Sequence, residues 1–213
     1  MSVDYQIYDR RFFRNTIEFE AGSAQAAAGI LYRHFQPKSV IDIGCGCGIY
    51  LRQLQALGVE IAGYDGSPAA LEESLVGDKI KIADLSQPFF PDKKYDLCLC
   101  FEVAEHLPAE SADVLVDSLV RCSDIIAFTA AIPGQGPKSI GHINEQPHEY
   151  WIKKFQARGF TWQTALSEEL KEELESAGVV WWIVQNLMIF KRKRPYIYRF
   201  CLKIYNIIKN FLN

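Results

Sequence analysis

Residues 39–48, Ser-Val-Ile-Asp-Ile-Gly-Cys-Gly-Cys-Gly, decide the fold of this chain. Val40, Ile41 and Ile43 form an apolar, β-branched run, as a parallel strand covered on both faces requires. Three glycines follow at every second position, and glycine lets the backbone turn sharply and approach a ligand closely. A helical pattern begins directly afterwards, at Ile49. The stretch therefore predicts a strand, a glycine turn and a helix, which open a nucleotide-type binding unit.

Length and composition predict one α/β domain. The chain has 213 residues, enough to bury a substantial core. Its net charge of -3 provides no global field for nucleic acid. We expect neither a signal segment nor a membrane span, because no stretch reaches the roughly 18 to 20 uncharged apolar residues that a span needs. The six cysteines form no C-x-x-C pair, which favours reduced, buried thiols and a cytoplasmic protein.

The glycines follow an acidic residue in the pattern D-x-G-x-G-x-G, from Asp42 to Gly48. This pattern differs from the dinucleotide fingerprint G-x-G-x-x-G and resembles the first motif of the class I methyltransferases that use S-adenosylmethionine (SAM). The resemblance covers roughly residues 38–190. It implies a Rossmann-like, doubly wound α/β fold with a mostly parallel seven-stranded sheet and an antiparallel last strand. It also implies SAM at the carboxyl edge of that sheet; the alternative is a tight turn that binds nothing.

Two acidic residues at later strand ends extend the resemblance. Asp65 comes 21 positions after Gly44, and its carboxylate can accept two hydrogen bonds from the ribose diol, although it can equally cap the next helix. The resemblance implies that Asp84 meets the adenine amino group and that Leu85 packs on the ring; the alternative is an ordinary turn. The expected cofactor-binding residues are Asp42, Gly44, Gly46, Asp65, Gly66, Asp84, Leu85 and Phe101.

The fourth strand leads into Glu-Val-Ala-Glu-His-Leu-Pro, residues 102–108. This stretch resembles the E-V-x-E-H element of the quinone-biosynthesis O-methyltransferases and of the enzymes that 2'-O-methylate small-RNA ends. In those relatives the two glutamates and the histidine hold a divalent metal, which implies Glu102, Glu105 and His106 here. On one helical turn, residues i, i+3 and i+4 converge, and such ligands suit Mg²⁺, Mn²⁺ or Zn²⁺. Without a metal, Glu102 would line the pocket and His106 would pack locally.

The long connection over residues 131–151 is the second candidate for acceptor chemistry, because long loops at this edge often carry function. His142 is a candidate fourth metal ligand or general base, and a loop-bracing hydrogen bond is the alternative. The small-RNA enzymes also have a histidine after this strand, but they continue with a pattern that this chain does not clearly keep. The expected catalytic residues are His142, His106, Glu102 and Glu145, and the expected metal ligands are Glu102, Glu105, His106 and His142.

The two ends of the chain are predicted to be distinct from its centre. Residues 1–190 form the methyltransferase domain, within which 1–37 are an N-terminal helical region that either covers the cofactor as a lid or packs on the sheet. Its helix over 23–35 would begin at a Ser23 cap. A last strand is expected over 181–191, followed by a basic amphipathic tail, 191–213, which suits either an anionic membrane surface or a protein partner.

The predicted function is transfer of the SAM methyl group to a small-molecule acceptor. The acceptor group is a hydroxyl of a quinone or phenol precursor, a sugar or a secondary metabolite, with or without a divalent metal, and nucleic acid is not an expected partner. One alternative is an RNA 3'-terminal 2'-O-methyltransferase, which requires a basic cleft. The other is a non-catalytic SAM-binding protein associated with a membrane. A cytoplasmic location is expected, with peripheral contact at the inner membrane face left open by the tail.

Overall fold

One mixed sheet forms the centre of the protein, seen in a computed structural model that describes residues 3, 6–135 and 141–193. The strands are β1 (Ser39–Ile43), β2 (Glu60–Asp65), β3 (Ile80–Ile82), β4 (Leu97–Phe101), β5 (Ile125–Thr129), β6 (Phe160–Trp162) and β7 (Met188–Arg192). They lie in the order β3-β2-β1-β4-β5-β7-β6. β7 runs antiparallel to both of its neighbours, whereas the other pairs are parallel. The predicted doubly wound α/β fold with an antiparallel last strand is confirmed.

Helices cover both faces of this sheet. They are α1 (Arg10–Phe35), α2 (Ile49–Ala56), α3 (Pro68–Glu72), α4 (Ala112–Cys122), α5 (His148–Ala157), α6 (Thr164–Ser176) and α7 (Trp181–Asn186). Every residue of β1 is buried, and its alternate side chains enter two separate apolar clusters. Val40 belongs to the cluster with α1, α2 and α6, while Ile41 and Ile43 belong to the cluster with α4 and α5. This two-sided burial explains why Val40, Ile41 and Ile43 are all apolar although they point to different faces.

The glycine turn after β1 is shaped by its neighbours. Gly44 has a φ of 80°, and a Cβ there would lie 2.2 Å from the Val103 side chain, in the turn after β4. The end of β2 closes on the same turn, because Asp65 Oδ2 accepts a hydrogen bond of 2.8 Å from the Gly46 amide. The ends of β1, β2 and β4 are thereby held together at one edge of the sheet.

Two predicted element boundaries are wrong. The first helix begins at Arg10, where Asp9 accepts a hydrogen bond from the Phe12 amide, and Ser23 lies inside it. The Ser23 hydroxyl instead accepts a hydrogen bond from the Val180 amide.

The expected strand over 181–191 is two elements. Its first half is helix α7, in which Ile183 and Asn186 are buried three positions apart while Trp181 is 54% exposed. This one-sided burial fits a helix and not a strand, in which buried and exposed residues alternate. β7 continues through Arg192, and residues 194–213 of the predicted tail lie outside the described residues.

Two further expectations concern the thiols and the membrane. Five cysteines, Cys45, Cys47, Cys98, Cys100 and Cys122, are free and buried, in line with their interpretation as small apolar side chains. Cys201 lies outside the described residues. Among the helices that the structure describes, none has the length and apolar character needed to cross a membrane.

The Gly44 contact predicts a stability difference between two alanine variants. Gly58 has nearly the same left-handed backbone, with a φ of 82°, but nothing lies within 4 Å of a Cβ there. Gly58→Ala should therefore lose only the about 1–2 kcal/mol that a left-handed alanine costs. Gly44→Ala should lose a further ~1–3 kcal/mol, because its Cβ overlaps Val103. Urea unfolding of both variants measures the difference, and equal losses would contradict the contact.

Candidate active site

A cavity opens at the carboxyl ends of β1, β2 and β4, between the glycine turn and the beginning of α1. Phe12, Thr16 and Glu20 of α1 form one wall, together with Tyr8 before the helix. These three helix positions are spaced by four residues, so they lie on one face of α1. Helix α1 therefore packs on the protein and also covers the cavity. The two alternatives for this region, a lid and a packed helix, are compatible in α1.

Seven of the eight expected cofactor residues line this cavity. They are Asp42, Gly44, Gly46, Asp65, Gly66, Leu85 and Phe101. The carboxylate of Asp65 is held by backbone donors, since Oδ1 accepts from the Ser67 amide and Oδ2 from the Gly46 amide, both at 2.8 Å. Burial raises the pKa of Asp65, while these amides act in the opposite direction. The Gly66 amide is a third backbone donor to this carboxylate, which leaves part of its acceptor capacity for a hydroxyl.

Asp84 is the exception. It is exposed and is not among the lining residues, whereas its neighbour Leu85 is buried and lines the cavity. The Asp84 carboxylate accepts hydrogen bonds from the Ser86 amide, at 2.9 Å, and from the Ser86 hydroxyl, at 2.6 Å. Asp84 therefore braces a local turn, and its contact with the adenine stays a prediction.

The carboxyl groups that line the cavity are not balanced by cationic side chains in its described lining. Four carboxyl groups line it, those of Glu20, Asp42, Asp65 and Glu102, and no lysine or arginine is among its described lining residues. Burial and the charge of Glu102 raise the pKa of Glu20 to about 7. Burial and the charge of Asp65 raise the pKa of Asp42 to about 7 as well. Such a cavity disfavours phosphate groups and favours a cationic ligand.

The E-V-x-E-H turn departs from the expected geometry. Glu102 has a φ of 53° and precedes the short 3₁₀ turn Ala104–His106, so Glu102, Glu105 and His106 do not share one helical turn. The Glu102 amide donates to Thr129 Oγ1 at 2.9 Å, and Glu102 Oε1 accepts from Asn186 Nδ2 at 3.2 Å. These contacts hold Glu102 in a backbone conformation that few residues other than glycine adopt.

Glu105 is wholly buried behind this turn. Its Oε1 accepts a hydrogen bond of 3.1 Å from the Ala131 amide, and its carboxyl group shares a side-chain hydrogen bond with that of Glu102. Burial and the charge of Glu102 raise the pKa of Glu105 well above its usual value. The Glu105 carbonyl accepts from the Ile143 and Asn144 amides, which anchors the long loop to this residue.

The rings of His106 and His142 are in contact close to the Glu105 carboxyl group. The His106 and His142 ring centroids are 4.8 Å apart. His106 Nδ1 lies 3.2 Å from the Gly141 carbonyl and 2.7 Å from the Tyr8 hydroxyl, and His142 Nδ1 lies 2.9 Å from Glu145 Oε1. The Glu145 carboxylate only accepts, so the hydrogen of this contact lies on His142 Nδ1. His106 Nδ1 faces the Gly141 carbonyl, which only accepts, and the Tyr8 hydroxyl, which can donate or accept. Burial and the charge of His142 lower the pKa of His106 to about 4, so His106 is neutral near pH 7.

The expected metal ligands are brought together in part. Glu105, His106 and His142 each offer a ligand atom within 4.8 Å of the others, and Glu102 lies outside that set. A carboxylate oxygen of Glu105 and a ring nitrogen of each histidine are donors that a divalent cation can use. The residues present therefore fit a metal, with two imidazoles and one carboxylate as its protein ligands.

Sequence reasoning missed three groups that shape this site: Tyr8, Glu20 and Asn186. None of them belongs to a motif of the glycine or E-V-x-E-H type. A signal for Glu20 exists in the four-residue spacing of Phe12, Thr16 and Glu20. The sequence offers no signal for Asn186, because this residue lies in the stretch predicted as the last strand, whereas the structure places it in α7.

Comparison with known proteins gives consistent results. A family model described as "Methyltransferase domain" matches residues 22–165. The ubiquinone biosynthesis O-methyltransferase of Paraburkholderia phytofirmans is 34% identical over 91 residues, which are 39% of this chain and 39% of that protein. The match thus spans about two fifths of the curated relative.

Solved structures share the fold at low identity. Streptomyces venezuelae DesVI has a TM-score of 0.64 at 12% identity, over 91% of this chain and 100% of that chain. The O-methyltransferase of a trans-AT PKS multienzyme of Brevibacillus brevis, in complex with S-adenosyl-L-homocysteine, has a TM-score of 0.56 at 16% identity, over 80% of this chain and 71% of that chain.

The raised pKa of Glu20 predicts a pH-dependent gain of stability in Glu20→Gln. Folded wild type retains the Glu20 proton up to about pH 7, whereas the unfolded chain loses it near 4.5, so this group makes the free energy of unfolding fall as pH rises through that window. Glu20→Gln removes the linkage. Relative to wild type, its free energy of unfolding should rise by about 2 kcal/mol from about pH 5 to about pH 7.

Urea unfolding across that pH range measures the effect. Glu18→Gln is the matched control, because Glu18 is exposed on the same helix and does not line the cavity. Parallel pH profiles for Glu20→Gln and wild type would contradict the buried position of the Glu20 carboxyl.

Proposed function

The chain belongs to the class I SAM-dependent methyltransferases, and from that membership we propose that it methylates a hydroxyl group of a small molecule. SAM supplies a methyl group on a positively charged sulfur. The observation that carries the proposal is that His106 lines the cavity together with four carboxyl groups and that its ring lies 4.8 Å from the ring of His142. A cation-binding cavity next to a proton acceptor is what transfer to a hydroxyl requires.

The carboxyl groups and the glycine turn support the cofactor half of this proposal. Asp65 would accept hydrogen bonds from the ribose hydroxyls with its remaining acceptor positions, and Leu85 would pack on the adenine ring. The backbone at Gly44 and Gly46 lets the ligand approach the main chain closely. The negative cavity favours SAM over a phosphate-bearing dinucleotide.

The pair of His142 and Glu145 supports the acceptor half. Glu145 Oε1 accepts the Nδ1 hydrogen of His142, which orients the ring and would leave Nε2 for the acceptor. Glu145 Oε2 in turn accepts from the Gly134 amide at 3.0 Å, so its carboxylate is held from both sides. As the acceptor oxygen attacks the methyl group, His142 Nε2 would take the hydroxyl proton, and the Glu145 carboxylate would stabilise the imidazolium.

A divalent metal is a compatible addition to this site. Glu105, His106 and His142 would hold it, and it would lower the pKa of a coordinated acceptor hydroxyl. Two imidazole donors favour Zn²⁺ or Mn²⁺ over Mg²⁺, which prefers oxygen ligands. In that case Glu145 would orient a metal-bound His142, and another group would take the acceptor proton.

The charge of the cavity supports a small molecule over an RNA end. An RNA-binding site needs cationic side chains for the phosphates and aromatic side chains for stacking. The described lining offers four carboxyl groups and no lysine or arginine. Catechols, other phenols and sugars carry hydroxyls without a phosphate and match this environment better.

Turnover by variants of the histidine pair tests the proposed reaction. With methyl-labelled SAM and a panel of catechols, phenols and sugars, wild type should transfer label to at least one acceptor. His142→Gln should lower kcat by about 10²–10⁴-fold, because the proton acceptor is removed. Glu145→Gln should lower kcat by about 10–100-fold, because the histidine loses the carboxylate that orients it.

Both variants should bind S-adenosyl-L-homocysteine as tightly as wild type. His34→Gln is the control: His34 contacts Glu173 and does not line the cavity, so this variant should keep full kcat. Unchanged turnover in His142→Gln would contradict its role, and absence of turnover across the whole panel with the cofactor still bound would favour a non-catalytic SAM-binding protein.

Calorimetric titration of Mg²⁺, Mn²⁺ and Zn²⁺ tests the metal. The protein is saturated with S-adenosyl-L-homocysteine and carries His34→Gln, which disables the other described cluster, His34 with Glu169 and Glu173. Zn²⁺ or Mn²⁺ should bind, and Glu105→Gln should weaken that binding by about 10–100-fold. Because Glu105 must lose a proton, affinity should rise with pH by up to about tenfold per unit. Equal binding by Glu105→Gln would place the metal elsewhere.

A further inference from the structure

Asn186, the last residue of α7, is wholly buried although its side chain is a polar amide. Its Nδ2 donates two hydrogen bonds, to Gln135 Oε1 at 2.8 Å and to Glu102 Oε1 at 3.2 Å. The His148 side chain also shares a hydrogen bond with this amide. A buried amide has to satisfy its polar atoms, and the partners that do so here come from three separate parts of the chain.

A backbone group determines which way the Asn186 amide faces. The Ile132 amide donates to Gln135 Oε1 at 3.0 Å, and because a backbone N–H only donates, this Gln135 atom is the carbonyl oxygen. The Asn186 atom that faces the same oxygen therefore carries hydrogen. This NH₂ group also meets the Glu102 carboxyl oxygen, so Asn186 is the donor in both contacts.

The three partners of Asn186 surround the acceptor side of the site. Glu102 lines the cavity, with its backbone in the left-handed region. Gln135 lies near the beginning of the long loop that carries His142, and His148, the first residue of α5, lies near its end. One buried amide thus connects both ends of this loop to a carboxyl group of the cavity.

We propose that Asn186 is a positioning residue for methyl transfer, which holds the Glu102 carboxyl group and the loop that carries His142 in one arrangement. A residue other than glycine keeps a left-handed backbone only where its neighbours fix it, and Asn186 supplies the side-chain contact that does so for Glu102. Asn186 is not among the described residues that line the cavity, so it acts through its partners. The assignment rests on the proposed function and extends it to a residue outside the sequence motifs.

Two variants and one control separate positioning from stability. Asn186→Leu keeps a similar volume and removes both donated hydrogen bonds, and Asn186→Asp keeps the shape but retains at most one of the two donor hydrogens. Ser167→Ala is the control. The Ser167 hydroxyl is also wholly buried and accepts from the Ile189 amide at 3.0 Å, but it does not line the cavity or contact the loop.

Turnover and cofactor binding should respond differently in these variants. With an acceptor from the panel described above, both Asn186 variants should lower kcat by about 10–100-fold, as the loss of an orienting partner does. Their affinity for S-adenosyl-L-homocysteine should stay within about threefold of wild type, because the glycine turn and Asp65 are unchanged. Ser167→Ala should lower the Tm and keep full kcat.

Hydrogen exchange with S-adenosyl-L-homocysteine bound tests the loop without any acceptor. Because Asn186 holds the Gln135 oxygen to which the Ile132 amide bonds, exchange in residues 131–149 should become about tenfold faster or more in both Asn186 variants. Exchange in the glycine turn, residues 44–48, should match wild type. Ser167→Ala should leave residues 131–149 unchanged.

Two results would overturn the assignment. Unchanged exchange in residues 131–149 would mean that Asn186 does not hold the loop. Equal losses of kcat in Ser167→Ala and in the Asn186 variants would mean that Asn186 only stabilises the fold. A wild type that binds the cofactor but transfers label to no acceptor would instead contradict the proposed function, and the exchange experiment would still decide whether Asn186 holds the loop.

Discussion

The contact between Gly44 and Val103 is the constraint on which the site depends. A Cβ at Gly44 would lie 2.2 Å from Val103, so only glycine lets the turn after β4 pack against the turn after β1. Val103 follows Glu102 and precedes the 3₁₀ turn that carries Glu105 and His106. The missing side chain thus lets the turn from Glu102 to His106 lie directly beside the glycine turn. The loop that contains His142 is held to Glu105 by backbone hydrogen bonds.

The second feature of the site is its concentration of acidic groups. Burial raises the pKa values of Asp42 and Glu20 to about 7, and in the free protein these groups oppose folding near neutral pH. Perturbed carboxyl groups in a cavity are typical of functional sites. A ligand with a sulfonium and an ammonium would offset this repulsion, so the charge that destabilises the free protein would contribute to cofactor affinity.

Local pattern predicted the sheet and the glycine turn because both are short-range features. The apolar residues Val40, Ile41 and Ile43 and glycines at fixed spacing require little tertiary information. The Ser23 prediction failed on a local signal, because the Asp9 cap starts the helix earlier in the chain. The prediction over 181–191 failed because the composition of the stretch favours a strand, whereas Trp181–Asn186 form a helix.

The same limit applies to the site. Asp84 matched the family spacing, yet its carboxylate bonds to Ser86 outside the cavity. Glu20 and Tyr8 reach the cavity only because α1 folds across it, a long-range arrangement that spacing does not encode. The pairing of His106 with His142, 36 positions apart, likewise depends on the loop anchored at Glu105.

A crystal structure with bound S-adenosyl-L-homocysteine would test the account most directly. The account predicts the ribose hydroxyls on Asp65, the adenine beside Leu85 and the sulfur facing the turn from Glu102 to His106. A nucleoside bound outside this cavity, or a sulfur directed away from His106, would contradict it.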